Sequence, residues 1–92
     1  MNKVINILHL EDDYLDAELI KSKLQQEGID YNILPAKCKD EFVNFLNREN
    51  IDIILADYNL PTINGIEALQ ISQKIRPDIP FLFVSGAIGE EL

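Results

Sequence analysis

The apolar residues of the chain are spaced alternately as in strands and as in helices. Four short, mostly apolar runs predict strands, and three stretches with an apolar residue every three or four positions predict helices. The predicted strands lie at residues 4–10, 31–36, 51–56 and 80–84. The predicted helices lie at residues 14–27, 41–46 and 65–76.

Residues at the predicted helix ends support this division of the chain. Gly28 is expected to end the first helix, Asp40 to cap the second, and Pro77 to follow the third. One apolar face of the first helix is expected to pack on the core: Ala17, Leu19, Ile20 and Leu24.

Alternating strands and helices predict an α/β fold, in which a doubly wound parallel sheet carries helices on both faces. The first and third strands are apolar on both alternations, as is typical of central strands that are covered on both sides. Pro35 predicts that the second strand lies at an edge of the sheet, because proline cannot donate a hydrogen bond within a central ladder.

Composition narrows the class of protein. The chain has 92 residues, of which 47% are hydrophobic, so we expect one small folded domain. Sixteen acidic and eight basic residues give a net charge of −8, which disfavours direct binding to nucleic acid or to anionic membranes. A single cysteine, Cys38, cannot form an internal disulfide. With no membrane-spanning run and no signal peptide, a cytoplasmic location is expected.

Candidate chemistry lies after the predicted strands. In sheets of this kind, ligands bind beyond the carboxyl ends of the strands. Glu11, Asp12 and Asp13 follow strand one, Asp57 follows strand three, and Ser85 follows strand four. Clustered carboxylates repel one another, and a hard divalent cation such as Mg²⁺ would neutralise them. A carboxylate beside Mg²⁺ can attack phosphorus, and a hydroxyl such as that of Ser85 could bind a phosphoryl oxygen.

Each of these residues also has a structural explanation when it is taken alone. An acidic run before a helix commonly caps it, and we expect Asp13 to do so. Ser85 precedes a glycine and could be a turn residue, and His9 is expected to be a core or loop-facing histidine. The functional hypothesis therefore depends on the convergence of three strand ends.

Together these residues resemble the receiver domain of two-component response regulators. The resemblance spans the whole chain: an acidic pair, an Asp with Pro four and Gly eight residues later, and a hydroxyl residue. The matching residues are Glu11, Asp12, Asp57, Pro61, Gly65 and Ser85. The resemblance implies a chemotaxis-regulator-like, three-layer flavodoxin-like fold with the strand order 2-1-3-4.

The resemblance also implies a function. Asp57 would accept a phosphoryl group from a phosphohistidine on a sensor histidine kinase or phosphotransfer protein, and Ser85 would be the switch hydroxyl. Asp12 and Asp57 would bind Mg²⁺ directly with the backbone carbonyl of Asn59, and Glu11 would act through water. Such a domain is a phosphoacceptor of bacterial-type signalling rather than an enzyme. It catalyses at most its own phosphorylation and dephosphorylation.

Family members have five strand–helix units, and the fifth strand normally brings a lysine to the phosphoryl group. This chain ends at "GEEL", and its last lysine is Lys74. We therefore expect residues 1–92 to be a receiver domain that is incomplete at its C-terminus. With strand five missing, the apolar edge of strand four is expected to promote self-association.

Two other functions fit parts of the pattern. A Mg²⁺-dependent phosphohydrolase with an aspartyl-phosphate intermediate would commonly have a second acid two residues after the nucleophile, where this chain has Asn59. A receiver-like interaction module that is not phosphorylated is favoured by the missing lysine and disfavoured by the intact acidic cluster.

Overall fold

The computed structural model describes residues 3–57 and 63–84. These residues form the predicted alternation of strands and helices, which is confirmed, and most element ends lie within one or two residues of the prediction. The elements are β1 (Ile5–Leu10), α1 (Tyr14–Gln26), β2 (Tyr31–Ala36), α2 (Lys39–Arg48), β3 (Ile53–Asp57), α3 (Gly65–Ile75) and β4 (Phe81–Val84).

The four described strands form one parallel sheet in the order β2-β1-β3-β4. The predicted order is confirmed, and β2 lies at an edge, where Pro35 pairs with His9 of β1. Leu10 at the end of β1 pairs with Ala56 of β3, so these two central strands finish side by side. The residues that follow them therefore meet at the same edge of the sheet.

The main hydrophobic core lies between the sheet and the pair α2 and α3. Alternate residues of the central strands point to this face, as the strand period requires. Phe42 and Leu46 of α2 are fully buried there, and each contributes about 1.5–3 kcal/mol by leaving water. The other core residues include Leu8, Leu10, Ile54, Ala56, Ile63 and Ala68.

The opposite face of the sheet is covered less completely. Leu24 of α1 lines a groove on this face together with Ile5 and Leu55, but no residue of α1 is fully buried. Leu19, which was expected to face the core, is 54% exposed. That prediction is wrong, because at about 3.6 residues per turn Leu19 lies nearly opposite the half-buried face that includes Ala17 and Leu24.

The helix ends differ from the prediction in one respect. Gly28 follows α1 with φ of 72°, a conformation that glycine adopts without strain, so its predicted role as a stop is confirmed. The second helix, however, has Cys38 as its N-cap residue, and Asp40 lies in its first turn. The expectation that Asp40 caps this helix is therefore wrong. Its carboxylate instead lies near the positive end of the helix dipole.

Within the described part of the chain, every helix is too short or too polar to cross a membrane.

Candidate functional site

The candidate site is built on the adjacent carboxyl ends of β1 and β3. Asp57 is the last residue of β3, and Glu11 comes directly after β1. The backbone N–H of Glu11 donates to the carbonyl of Ala36 at 3.0 Å, which attaches this position to β2 as well. Because β1 and β3 are both central in the described sheet, their ends give the two acids a rigid base.

Three carboxylates come together at this edge. One carboxylate oxygen from each of Glu11, Asp12 and Asp57 can be chosen so that all lie within 4.8 Å of one another. Glu11 is buried, Asp57 is half-buried and Asp12 is exposed. The cluster is therefore anchored in the protein on one side and open to solvent on the other.

The start of α1 orients the buried member of the cluster. The Glu11 carboxylate accepts a hydrogen bond from the backbone N–H of Asp13 at 3.1 Å. The Asp13 side chain caps α1, since it accepts from the N–H groups of Leu15 at 2.8 Å and Asp16 at 3.3 Å. Asp13 thus has the capping role that was predicted for it. The acidic run after β1 is divided between a cap and two members of the cluster.

The charge of the cluster is only partly compensated. Burial raises the pKa of Glu11 to about 7, and the backbone N–H of Asp13 opposes this change. The negative charges of Asp57 and Asp16, and a hydrogen bond between the Glu11 and Asp57 side chains, raise this pKa further. The pKa of Glu11 therefore lies near neutral pH, where most other carboxyl groups are ionised.

His9 lies beneath the cluster and does not belong to it. Only 2% of the residue is exposed, and Nε2 of its ring finds no hydrogen-bond partner among the described residues. Burial lowers the pKa of His9 to about 4, against the attraction of Asp57 and together with the repulsion of Lys21. The ring is therefore neutral at physiological pH. Of the two placements expected for His9, the core is the one observed.

The remaining predicted site residues are only partly described. Asn59, Pro61 and Ser85 lie outside the described residues. Gly65 begins α3, directly after Asn64, whose side-chain oxygen accepts from the N–H of Glu67 at 2.7 Å. Asn64 thus caps the start of α3.

The start of α1, which follows the acids directly in the sequence, carries exposed apolar side chains. Tyr14 is 73% exposed and Leu15 71% exposed in the first turn of α1, and Leu19 lies one turn further along the helix. We call these three residues the α1 patch. Its signal in the sequence is the spacing of Leu15 and Leu19, which are four residues apart and on the opposite side of the helix from Leu24.

A family model described as the response regulator receiver domain matches residues 7–92 of the chain. The chain belongs to this family. The resemblance seen in the sequence is thereby confirmed, and the order of the four strands agrees with it.

Curated relatives of this receiver domain are longer proteins. The cell cycle transcriptional regulator CtrA of Caulobacter vibrioides is 30% identical over 83 residues, which are 90% of this chain and 35% of that protein. The autoinducer 1 sensor kinase/phosphatase LuxN of Vibrio campbellii is 29% identical over 89 residues, or 97% of this chain and 10% of that protein. The chain thus spans between about a tenth and about a third of these two relatives.

Solved receiver domains share the fold. The non-phosphorylated HemR receiver domain from Leptospira biflexa aligns with a TM-score of 0.71 and 33% identity, covering 86% of this chain and 62% of that one. The receiver domain of sensor histidine kinase PA1611 from Pseudomonas aeruginosa, which has a magnesium ion in its active site cleft, aligns with a TM-score of 0.76. Its identity is 22%, and the alignment covers 90% of this chain and 68% of that one.

Proposed function

We propose that this receiver domain is the phosphoacceptor of a two-component phosphorelay and that Asp57 carries the phosphoryl group. The observation that supports this most strongly is the position of Asp57, which ends a central strand with a carboxylate oxygen within 4.8 Å of oxygens from Glu11 and Asp12. The donor is a phosphohistidine on a sensor histidine kinase or on a phosphotransfer protein. The domain acts in the cytoplasm, where such donors are available.

Asp57 has the properties that a nucleophile needs. A carboxylate oxygen of Asp57 attacks phosphorus as the bond from phosphorus to the histidine nitrogen breaks, and the electron pair of that bond leaves with the imidazole. Asp57 is half-buried, so the residue remains partly accessible to solvent. Pairing of β3 with β1 and β4 holds its backbone, which limits the loss of orientation during attack.

The acids fit a magnesium ion. Magnesium takes six oxygen ligands at about 2.0–2.1 Å, which places ligands of one ion roughly 3–4 Å apart. Oxygens within 4.8 Å of one another need to close by only a small amount to meet this requirement. Asp12 and Asp57 would bind directly with the carbonyl of Asn59, and Glu11 would bind through water. When bound, Mg²⁺ supplies positive charge to the phosphoryl oxygens.

The state of Glu11 supports a cation site. A buried carboxyl group with a pKa of about 7 is poorly compensated in the absence of a cation. A cation at the cluster would favour the ionised form of Glu11. Ser85, which follows β4, would donate its hydroxyl hydrogen to a phosphoryl oxygen and so act as the switch residue.

The α1 patch is the surface on which we expect the donor protein to dock. A donor must bring its phosphohistidine to Asp57, so it contacts the residues around the cluster. On the side of α1 this surround includes three exposed apolar side chains, those of Tyr14, Leu15 and Leu19. The donor should therefore present an apolar strip beside its histidine, because burying such side chains contributes to binding.

Labelling with a small phosphodonor tests this function. With phosphoramidate and Mg²⁺, the wild type should gain one phosphoryl group by intact mass, and Asp57→Asn should gain none. Asp30→Asn is the matched control, because Asp30 is exposed in the loop between α1 and β2, at the opposite end of the sheet. Failure of the folded wild type to become labelled would favour a receiver-like module that is not phosphorylated. Continuous release of phosphate over many turnovers from a generic phosphate ester would favour a phosphohydrolase.

A further inference from the structure

We draw no further inference here: the strongest candidate, the largely apolar groove of about 560 Å³ between α1 and the amino ends of β1, β3 and β4, lined by Ile5, Leu24, Ile29, Ile53, Leu55 and Pro80, is a sheet face that α1 covers only in part, and nothing in the structure shows what covers the rest.

Discussion

Replacing Glu11 by glutamine should stabilise the metal-free domain near and above neutral pH. The wild-type carboxyl group is buried beside Asp57, and ionising it there is unfavourable. Glutamine has nearly the same shape and stays neutral. Its oxygen can still accept from the N–H of Asp13, and its amide can donate to Asp57. The variant therefore keeps the local contacts and removes only the charge.

The magnitude follows from the pKa of Glu11, which rises from 4.5 in the unfolded chain to about 7 in the folded protein. At about 1.4 kcal/mol per pKa unit, the ionised carboxyl group lowers the free energy of unfolding by at most about 3.5 kcal/mol. Solvent reaches the cluster at Asp12, so we expect a gain of about 1–3 kcal/mol in the variant. For a domain of this size, each kcal/mol corresponds to roughly 4–8 °C in Tm.

The direction in which stability changes with pH depends on whether the folded or the unfolded state holds the Glu11 proton. Between pH 4.5 and about 7 the folded protein keeps the Glu11 proton that the unfolded chain has lost, so wild-type stability falls as the pH rises through this window. The loss is complete above pH 7 and absent below pH 4.5. Glu11→Gln should therefore match the wild type at low pH and exceed it at high pH.

His9 changes the free energy of unfolding with pH in the opposite direction, so its contribution must be separated from that of Glu11. Its pKa falls from 6.5 to about 4 on folding, so the unfolded chain binds a proton that the folded protein does not. Protonation of His9 in the unfolded chain therefore lowers stability as the pH falls from 6.5 to about 4. The two effects nearly cancel in the wild type between about pH 4.5 and 6.5. The difference between variant and wild type removes the His9 contribution, because both proteins contain His9.

Urea unfolding followed by circular dichroism, in EDTA at about pH 5 and about pH 8, measures the difference directly. Glu49→Gln is the matched control, since Glu49 is exposed at the end of α2, and it should change stability by no more than about 0.5 kcal/mol. A Glu11→Gln protein that is less stable than the wild type at pH 8, or that differs from it equally at both pH values, would refute this reasoning.

Three further predictions concern binding. In the wild type, Mg²⁺ at a hundredfold excess over Kd should raise the free energy of unfolding by about 2.7 kcal/mol, and Asp12→Ala should abolish most of this increase. The affinity for Mg²⁺ should rise with pH through about 7, because Glu11 loses its proton there. A thermal unfolding temperature that does not change up to high millimolar Mg²⁺ would exclude a metal site. Leu15→Ser in the α1 patch should slow phosphotransfer from a histidine kinase at least about fivefold, while labelling by phosphoramidate stays unchanged. Val4→Ser is the control, because Val4 is exposed and lies just before β1, at the opposite end of the sheet. Equal slowing of both reactions by Leu15→Ser would mean that the patch does not dock the donor. Leu82 and Phe83 are 50% and 37% exposed on β4, which is an edge of the described sheet, so the 92-residue chain should self-associate. Light scattering across a dilution series should show that Phe83→Lys shifts the protein toward monomer. A stable wild-type monomer at high micromolar concentration would contradict this prediction.

The parts of the fold that could be predicted are those set by local pattern. Apolar runs on both alternations identified β1 and β3 as central, and Pro35 placed β2 at an edge. The rule that parallel strands finish at one edge then placed Glu11 and Asp57 together. These conclusions need only the residue spacing and the geometry of a parallel sheet.

The parts that could not be predicted depend on tertiary contacts. Glu11 is buried because its backbone N–H donates a hydrogen bond to Ala36 of β2 and its carboxylate accepts one from Asp13, just before α1. Neither hydrogen bond can be read from the order of the residues. Aspartate is a common helix cap, which predicts that α2 starts after Asp40, whereas the helix begins after the extended residue Cys38. The exposure of Leu19 follows from the orientation of α1 on the sheet.

The identity of residue 57 after phosphorylation and chemical trapping tests the central claim most directly. Borohydride reduces an aspartyl phosphate to homoserine, so the labelled protein can be digested and sequenced by mass spectrometry. We predict homoserine at position 57, dependent on Mg²⁺ and on the phosphodonor, with Asp12 and the other acids unchanged. Homoserine at another position, or a phosphoryl group that persists in Asp57→Asn, would contradict the assignment of Asp57 as the phosphoacceptor.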